Sequence, residues 1–322
     1  MSTASDVLIE GEGLDVTEGA EEIAARSPLE LFWRRLRRDK VALVALGVII
    51  LMILVAIFAP LIVKVLGAPD PNVQNDDLLG DFGEPTGPSS AHWFGVDERG
   101  RDVFSRVVYG ARVSLEAAII ATTLIVLIGV TAGLIAGYYR GKVDTLFSRV
   151  MDLMLAFPVL VLALGLGVAC ADGCLGGAIQ PGLPVVIFVI VLTTWPYMAR
   201  IVRGQVLSLR EREFVEASQS LGARDRRIIF REILPNLVAP IIVYATVLIP
   251  QNILYEAALS FLGIGVDPSK PSWGAMISDA ISIFQDAWWF MTFPGLALLI
   301  TVLAFNIVGD GLQDALNPRT SK

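Results

Sequence analysis

Residues 41–63 read VALVALGVIILMILVAIFAPLIV, an uncharged apolar run. A helix of about 20 such residues crosses the hydrocarbon core of a bilayer. Comparable runs recur at about 113–137, 151–170, 183–201 and 237–263, and from Trp288-Trp289 to about Val308. In lipid every backbone polar group must be satisfied within its own segment, so these runs predict an all-α polytopic membrane protein with six transmembrane helices. Composition agrees: of 322 residues, 54% are hydrophobic and 18% charged, against roughly a quarter charged in soluble domains.

Outward from the first run, residues 1–26 are acidic, with Asp6, Glu10, Glu12, Asp15, Glu18, Glu21 and Glu22 against Arg26, and carry much of the net charge of −7. They lack periodicity and read as a disordered tail, so the charge implies no nucleic-acid partner. Ser27-Pro28-Leu29-Glu30 is a capping box with proline at the first helical position. Leu29, Phe32, Trp33 and Leu36 then form one apolar stripe against Arg34, Arg35, Arg37, Arg38 and Lys40. Residues 27–40 therefore predict a basic amphipathic helix in the membrane interface. A signal-peptide n-region is the alternative, but the apolar run that follows is too long and no A-x-A site ends it. The first span occupies 41–64, a Pro-, Gly- and Asp-rich loop 65–112, the core 113–316, and a short tail 317–322.

Arg140, Lys142 and Arg149, the arginines of 203–235, and Arg319 and Lys322 fall on the side of the basic pre-helix. Lys and Arg mark cytoplasmic loops, so both termini are expected in the cytoplasm, with 65–112 outside. Arg99, Arg101, Arg106 and Arg112 fall outside, interleaved with Asp97, Glu98 and Asp102, and are expected to be paired in an interfacial helix leading into span two. Gly129, Gly133 and Gly137 give that span a small-xxx-small face for close helix approach, or are simple membrane composition. Two cysteines and one histidine exclude most metal sites. Cys170 and Cys174 lie in an outer loop where a disulfide is permitted but not required, and His92 reads as a loop residue. Trp195-Pro196-Tyr197, with Arg200 and Arg203, anchors the inner end of span four.

Residues 203–235 carry the functional signal. Phe214, Ala217, Ser218 and Leu221 share one helical face, and Gly222 is placed to end that helix in a left-handed cap. Asp225 is expected to cap a second helix, with Ile228, Ile229, Ile233 and Leu234 apolar and Pro235 ending it. A helix-turn-helix for DNA is a poor reading with both ends tethered to the membrane. A solvated loop is the bland alternative; a short capped helix presented to the cytoplasm suits a mechanical connection to a partner. In span five, Gln251, Asn252 and Glu256 follow Pro250. Polar groups inside a span mark a pathway or a partner, and Gln251 and Asn252 are expected to line a translocation path. Glu256 does the same or pairs near the outer end.

Glu216-Ala217-Ser218, then Gly222 and Ile233-Leu234-Pro235, resembles the EAA loop of binding-protein-dependent ABC importer permeases, with Ser218 where alanine is usual. Phe94-Gly95-Val96-Asp97 with Gly100 through Arg106, Leu155-Ala156-Phe157-Pro158, Ser260 through Gly265 with Pro271-Ser272-Trp273-Gly274, and Gly309-Asp310-Gly311-Leu312 with Leu316-Asn317-Pro318 resemble the dipeptide, oligopeptide and nickel branch, second-permease type. The resemblance implies an ABC type I importer permease-like fold. It implies a homologous sister permease, two cytoplasmic ATPase subunits and an extracytoplasmic substrate-binding protein as partners. Glu216, Ala217, Ser218, Leu221, Gly222, Ala223 and Arg224 become the ATPase-coupling residues. No G-x-x-x-x-G-K-[ST] occurs, since Gly141-Lys142 is followed by Val143 without the upstream glycine. ATP and magnesium then belong to the partner, and this chain binds no cofactor and is no enzyme. Peptides and nickel remain open as substrates. A stand-alone secondary transporter would need internal repeats or broken paired helices, which the sequence lacks. An intramembrane enzyme would need an embedded constellation of His, Asp and Glu.

Overall fold

The computed structural model describes residues 37, 39–81, 83–265, 267 and 269–316. The acidic tail 1–26, nearly all of the amphipathic segment 27–40, and Asn317 and Pro318 lie outside them. The helices are α1 (Lys40–Ile57), α2 (Ala59–Val65), α3 (Val103–Tyr139), α4 (Gly141–Leu155), α5 (Val159–Ala169), α6 (Leu183–Arg210), α7 (Glu213–Ser220), α8 (Leu234–Phe261), α9 (Trp273–Ala280) and α10 (Trp288–Leu316). Among the described residues five helices are long and apolar enough to cross a membrane, or six if α4 and α5 form one bent span.

That bend corrects the expected straight crossing over 151–170. α4 and α5 meet at 87°, because the residue before a proline is forced out of helical geometry and Phe157-Pro158 falls between them. α4 is strapped to α6 instead: Arg203 Nε and Nη2 donate to Asp144 Oδ1 and Oδ2 at 2.5 and 2.8 Å, and Arg200 Nη2 donates to Asp152 Oδ1 at 2.6 Å.

The most extensive helix contact is α3 against α6, and the glycine face makes it possible. A Cβ on Gly133 would lie 2.7 Å from the Ala199 carbonyl oxygen and from Val202 Cβ; on Gly129 or Gly137 it would lie 2.7 Å from Met198 Cβ or Val206 Cβ. Val185, Val189, Ile190, Ile233, Leu237 and Leu259 extend this core between α6 and α8. α1 and α10 pack on the other flank of α3 through Ala45, Ile49, Leu115, Ala118 and Phe305.

The outer loop closes over this end of the bundle. Asp102 caps α3, accepting from the Ser105 amide at 2.8 Å, and pairs with His92 at 2.9 Å. Asp97 takes Arg101 at 2.6 Å and Arg106 at 3.5 Å, all three buried. Arg99 lies 3.5 Å from Glu98. So Asp97 neutralises Arg101 and Arg106, while Asp102 takes His92 instead of an arginine. Trp289 is buried and donates to the Val96 carbonyl at 3.1 Å, whereas Trp288 stays exposed; only one of the tryptophan pair is available as an interface anchor. Cys170 and Cys174 form a disulfide in the loop after α5. In the loop before α9, the Ser269 hydroxyl and amide hold the Asp267 carboxyl below its usual range.

Candidate functional site: a short lever and a groove between spans

α6 runs past its expected end to Arg210, and α8 is fed by a helical lead-in beginning at Asp225, so the projecting element shrinks to residues 211–224. Its centre is α7. Val215 is fully buried in the cluster of Val206, Ile228, Ile229 and Ile233. The opposite surface is open: Leu221 is 88% exposed and Phe214 38%, and Glu216 and Ala217 are exposed with Ser218 half-buried. α7 ends in a Schellman turn, the Gly222 amide donating to Gln219 O at 2.9 Å and that of Ala223 to Ser218 O at 3.0 Å. Gly222 has a φ of +76°, a conformation that glycine adopts without penalty. Arg224 follows in extended geometry.

Two details of the expected second helix are corrected. Asp225 is not a cap: its Oδ1 accepts from the Tyr138 hydroxyl at 2.9 Å. Pro235 does not end a helix, because residues 228–233 form a π-turn whose last amide, on Leu234, reaches back to Ile229. The turn re-spaces the ladder so that Pro235 sits in the first turn of α8, where no amide is needed.

Tyr138, unmarked in the sequence, is the foot of this element. Its ring lies 5.4 Å below the Arg210 guanidinium, its carbonyl accepts from Arg210 Nη1, and its hydroxyl holds Asp225. Arg140 and Glu211 close the same corner at 2.5 Å. Both stems of the projection are therefore fixed to the end of α3. The signal missed was Tyr138-Tyr139 at the end of a span facing the basic loop.

The polar residues of α8 divide by face. Asn252 and Glu256 are fully buried against α3. Asn252 Nδ2 donates to Thr122 Oγ1 at 2.8 Å, and its Oδ1 has no partner among the described residues. Glu256 accepts from Ser114 and Ser260 hydroxyls, each at 2.8 Å. The structure thus does not bring Asn252 and Glu256 onto a shared face with Gln251, because neighbouring helical positions diverge by about 100°. Gln251 points the other way, exposed, its Nε2 3.2 Å from the Tyr255 hydroxyl. It lines a groove of about 250 Å³ between α6 and α8 with Thr194, Tyr197, Met198, Tyr244 and Tyr255.

Residues 129–322 match the family of binding-protein-dependent transport system inner membrane components, and residues 27–80 match the N-terminal TM domain of oligopeptide transport permease C. The chain is 43% identical to a dipeptide transport system permease of Alkalihalophilus pseudofirmus, over 93% of this chain and 92% of that one. It is 40% identical to a glutathione transport system permease of Pectobacterium atrosepticum, over 92% and 93%. Its fold is similar to that of an inward-facing methionine ABC transporter, with a TM-score of 0.55 at 21% identity, covering 66% of this chain and 96% of the other. The chain belongs to the binding-protein-dependent transport system inner membrane component family. It is a permease subunit of an ABC importer.

Proposed function

We propose that this chain forms half of the translocation path of an ATP-driven importer of di- and oligopeptides, beside a homologous sister permease. An extracytoplasmic binding protein delivers the substrate, and α7 seats on one of two cytoplasmic ATPase subunits that bind ATP and magnesium. The Lys and Arg distribution supports a cytoplasmic position for α7 and for both termini. The observation that carries the reading is the build of the projection: a buried Val215, an exposed Leu221 and two stems tied to Tyr138. Such a part transmits displacement as a rigid body, and closure of the ATPase pair would bias the spans between outward and inward states. Peptides are favoured over nickel by the relatives' names and by the groove. Nickel calls for imidazole, thiolate or carboxylate ligands, and the groove is lined by amide, hydroxyl and apolar groups. Purification from native membranes under conditions that keep complexes together, followed by mass spectrometry, is expected to recover a second permease and ATPase chains. Recovery of this chain alone, with ion-driven uptake, would replace the proposal by a stand-alone transporter.

A further inference from the structure

Tyr244, Val247, Gln251 and Tyr255 recur at intervals of three and four along α8, so they share one face. Opposite them stand Thr194, Tyr197, Met198 and Ile201 of α6. Gln251 lies inside a membrane-crossing helix, and a carboxamide turned toward hydrocarbon there is costly, so its exposure points to a watered path or a ligand. The groove measures about 250 Å³, below the roughly 300 Å³ at which pockets for drug-sized ligands begin. That is room for a peptide unit and its immediate neighbours rather than for a whole oligopeptide.

We infer that the α6–α8 groove is an amide-binding subsite, in which Gln251 and the hydroxyls of Tyr255, Tyr244 and Tyr197 hold one backbone peptide unit of the passing substrate. The inference rests on the peptide reading and deepens it. A carboxamide offers both donors and an acceptor and so pairs face to face with a substrate amide, while tyrosine hydroxyls serve in either role. The walls between these groups are Met198, Ile201, Val247 and Leu248. A flexible thioether and aliphatic carbons accept varied side chains without selecting among them. Among the described residues no charged side chain lines the groove, so it ranks substrates by backbone and not by charge. That is the selectivity a permease needs if it must pass many peptides and hold none.

The test uses the whole transporter with its partner subunits in proteoliposomes, supplied with its binding protein. Initial uptake is compared for a tripeptide and for the same tripeptide N-methylated at its central amide. Recognition of that amide by the binding protein is common to all variants and cancels when their ratios are compared. In Gln251→Leu the preference for the unmethylated peptide is expected to fall by about threefold to tenfold, the factor one net hydrogen bond supplies. Tyr255→Phe, which removes a hydroxyl and keeps the ring, is expected to move the ratio the same way and guards against misfolding of the leucine variant. In a second arm, Val247→Cys is expected to react with a membrane-impermeant thiol reagent and to be protected by tripeptide. Both native cysteines are held in a disulfide. An unchanged ratio in both variants overturns the subsite and leaves peptide import standing. Uptake of neither peptide by the unaltered transporter overturns both. Reaction of Val247→Cys only with lipid-soluble reagents shows a lipid-facing groove, and no reaction shows one sealed by the sister permease; either result refutes the inference.

Discussion

Gly133→Ala is expected to loosen the bundle along the α3–α6 glycine seam. The added methyl carbon would sit 2.7 Å from a backbone oxygen of α6 and from Val202 Cβ, where comfortable contact needs about 3.5 Å. The shortfall of about 0.8 Å cannot be absorbed by a rotamer, because one of the atoms met is main chain. α3 and α6 must move apart, and a gap of 0.5–1 Å forfeits roughly a quarter to a half of each contact it opens. Overpacking of this kind costs about 2–3 kcal/mol, of which the better helix propensity of alanine returns about 1. The net loss is then about 1–2 kcal/mol. Gly47→Ala is the matched control: nothing lies within 4 Å of its Cβ position, so only the propensity gain of about 1 kcal/mol remains. The two variants should therefore differ by about 2–3 kcal/mol in opposite directions. Equilibrium unfolding in bicelles by steric trapping resolves a difference of that size. Equal stability of the two variants would show that the glycine face is membrane composition and not a packing seam.

Tyr138→Phe keeps the ring beneath Arg210 but loses the bond to Asp225, a cost of about 1 kcal/mol. It is expected to raise the ATP hydrolysed per substrate imported without lowering the yield of assembled complex, measured by paired hydrolysis and uptake assays. Val215→Ala removes buried carbon from the root of α7 at about 2 kcal/mol. Hydrogen exchange is expected to rise across residues 211–224 and to stay unchanged in α3 and α6. Ser114→Ala strips one hydroxyl from Glu256 and should lower thermal stability by about 1 kcal/mol. Thr123→Ala, whose hydroxyl bonds only its own helix at Ile119, should be near neutral.

The spans were legible because lipid reduces the problem to length and apolarity: α1 with α2 covers the expected first span and α8 lies within a turn of the expected fifth, whereas α3 begins 10 residues before the expected second and α6 ends 9 residues beyond the expected fourth. What the sequence hid followed from neighbours rather than from the chain itself. Phe157-Pro158 carries a helix-breaking signal, but a continuous apolar run masked it. Asp225 has the residue type of a cap, and only the arrival of Tyr138 from 87 residues away gives it another partner. Asn252 and Glu256 are as polar as Gln251, and which of them faces a groove depends on where α3 packs. The π-turn before Pro235 has no one-residue signature. The projection itself was readable in outline, since Gly222 and the spacing of Phe214, Ala217 and Leu221 are local features. Its anchoring through Val215 and Tyr138 is tertiary and was not.

A photo-activated cross-linker placed at Leu221, in intact membranes containing the assembled transporter, tests most directly whether α7 is the handle of a separate motor. The expected product is a single adduct to an ATPase subunit, formed only from the cytoplasmic side. Labelling of the same position by an impermeant reagent added outside the cell, with no ATPase adduct, would contradict it.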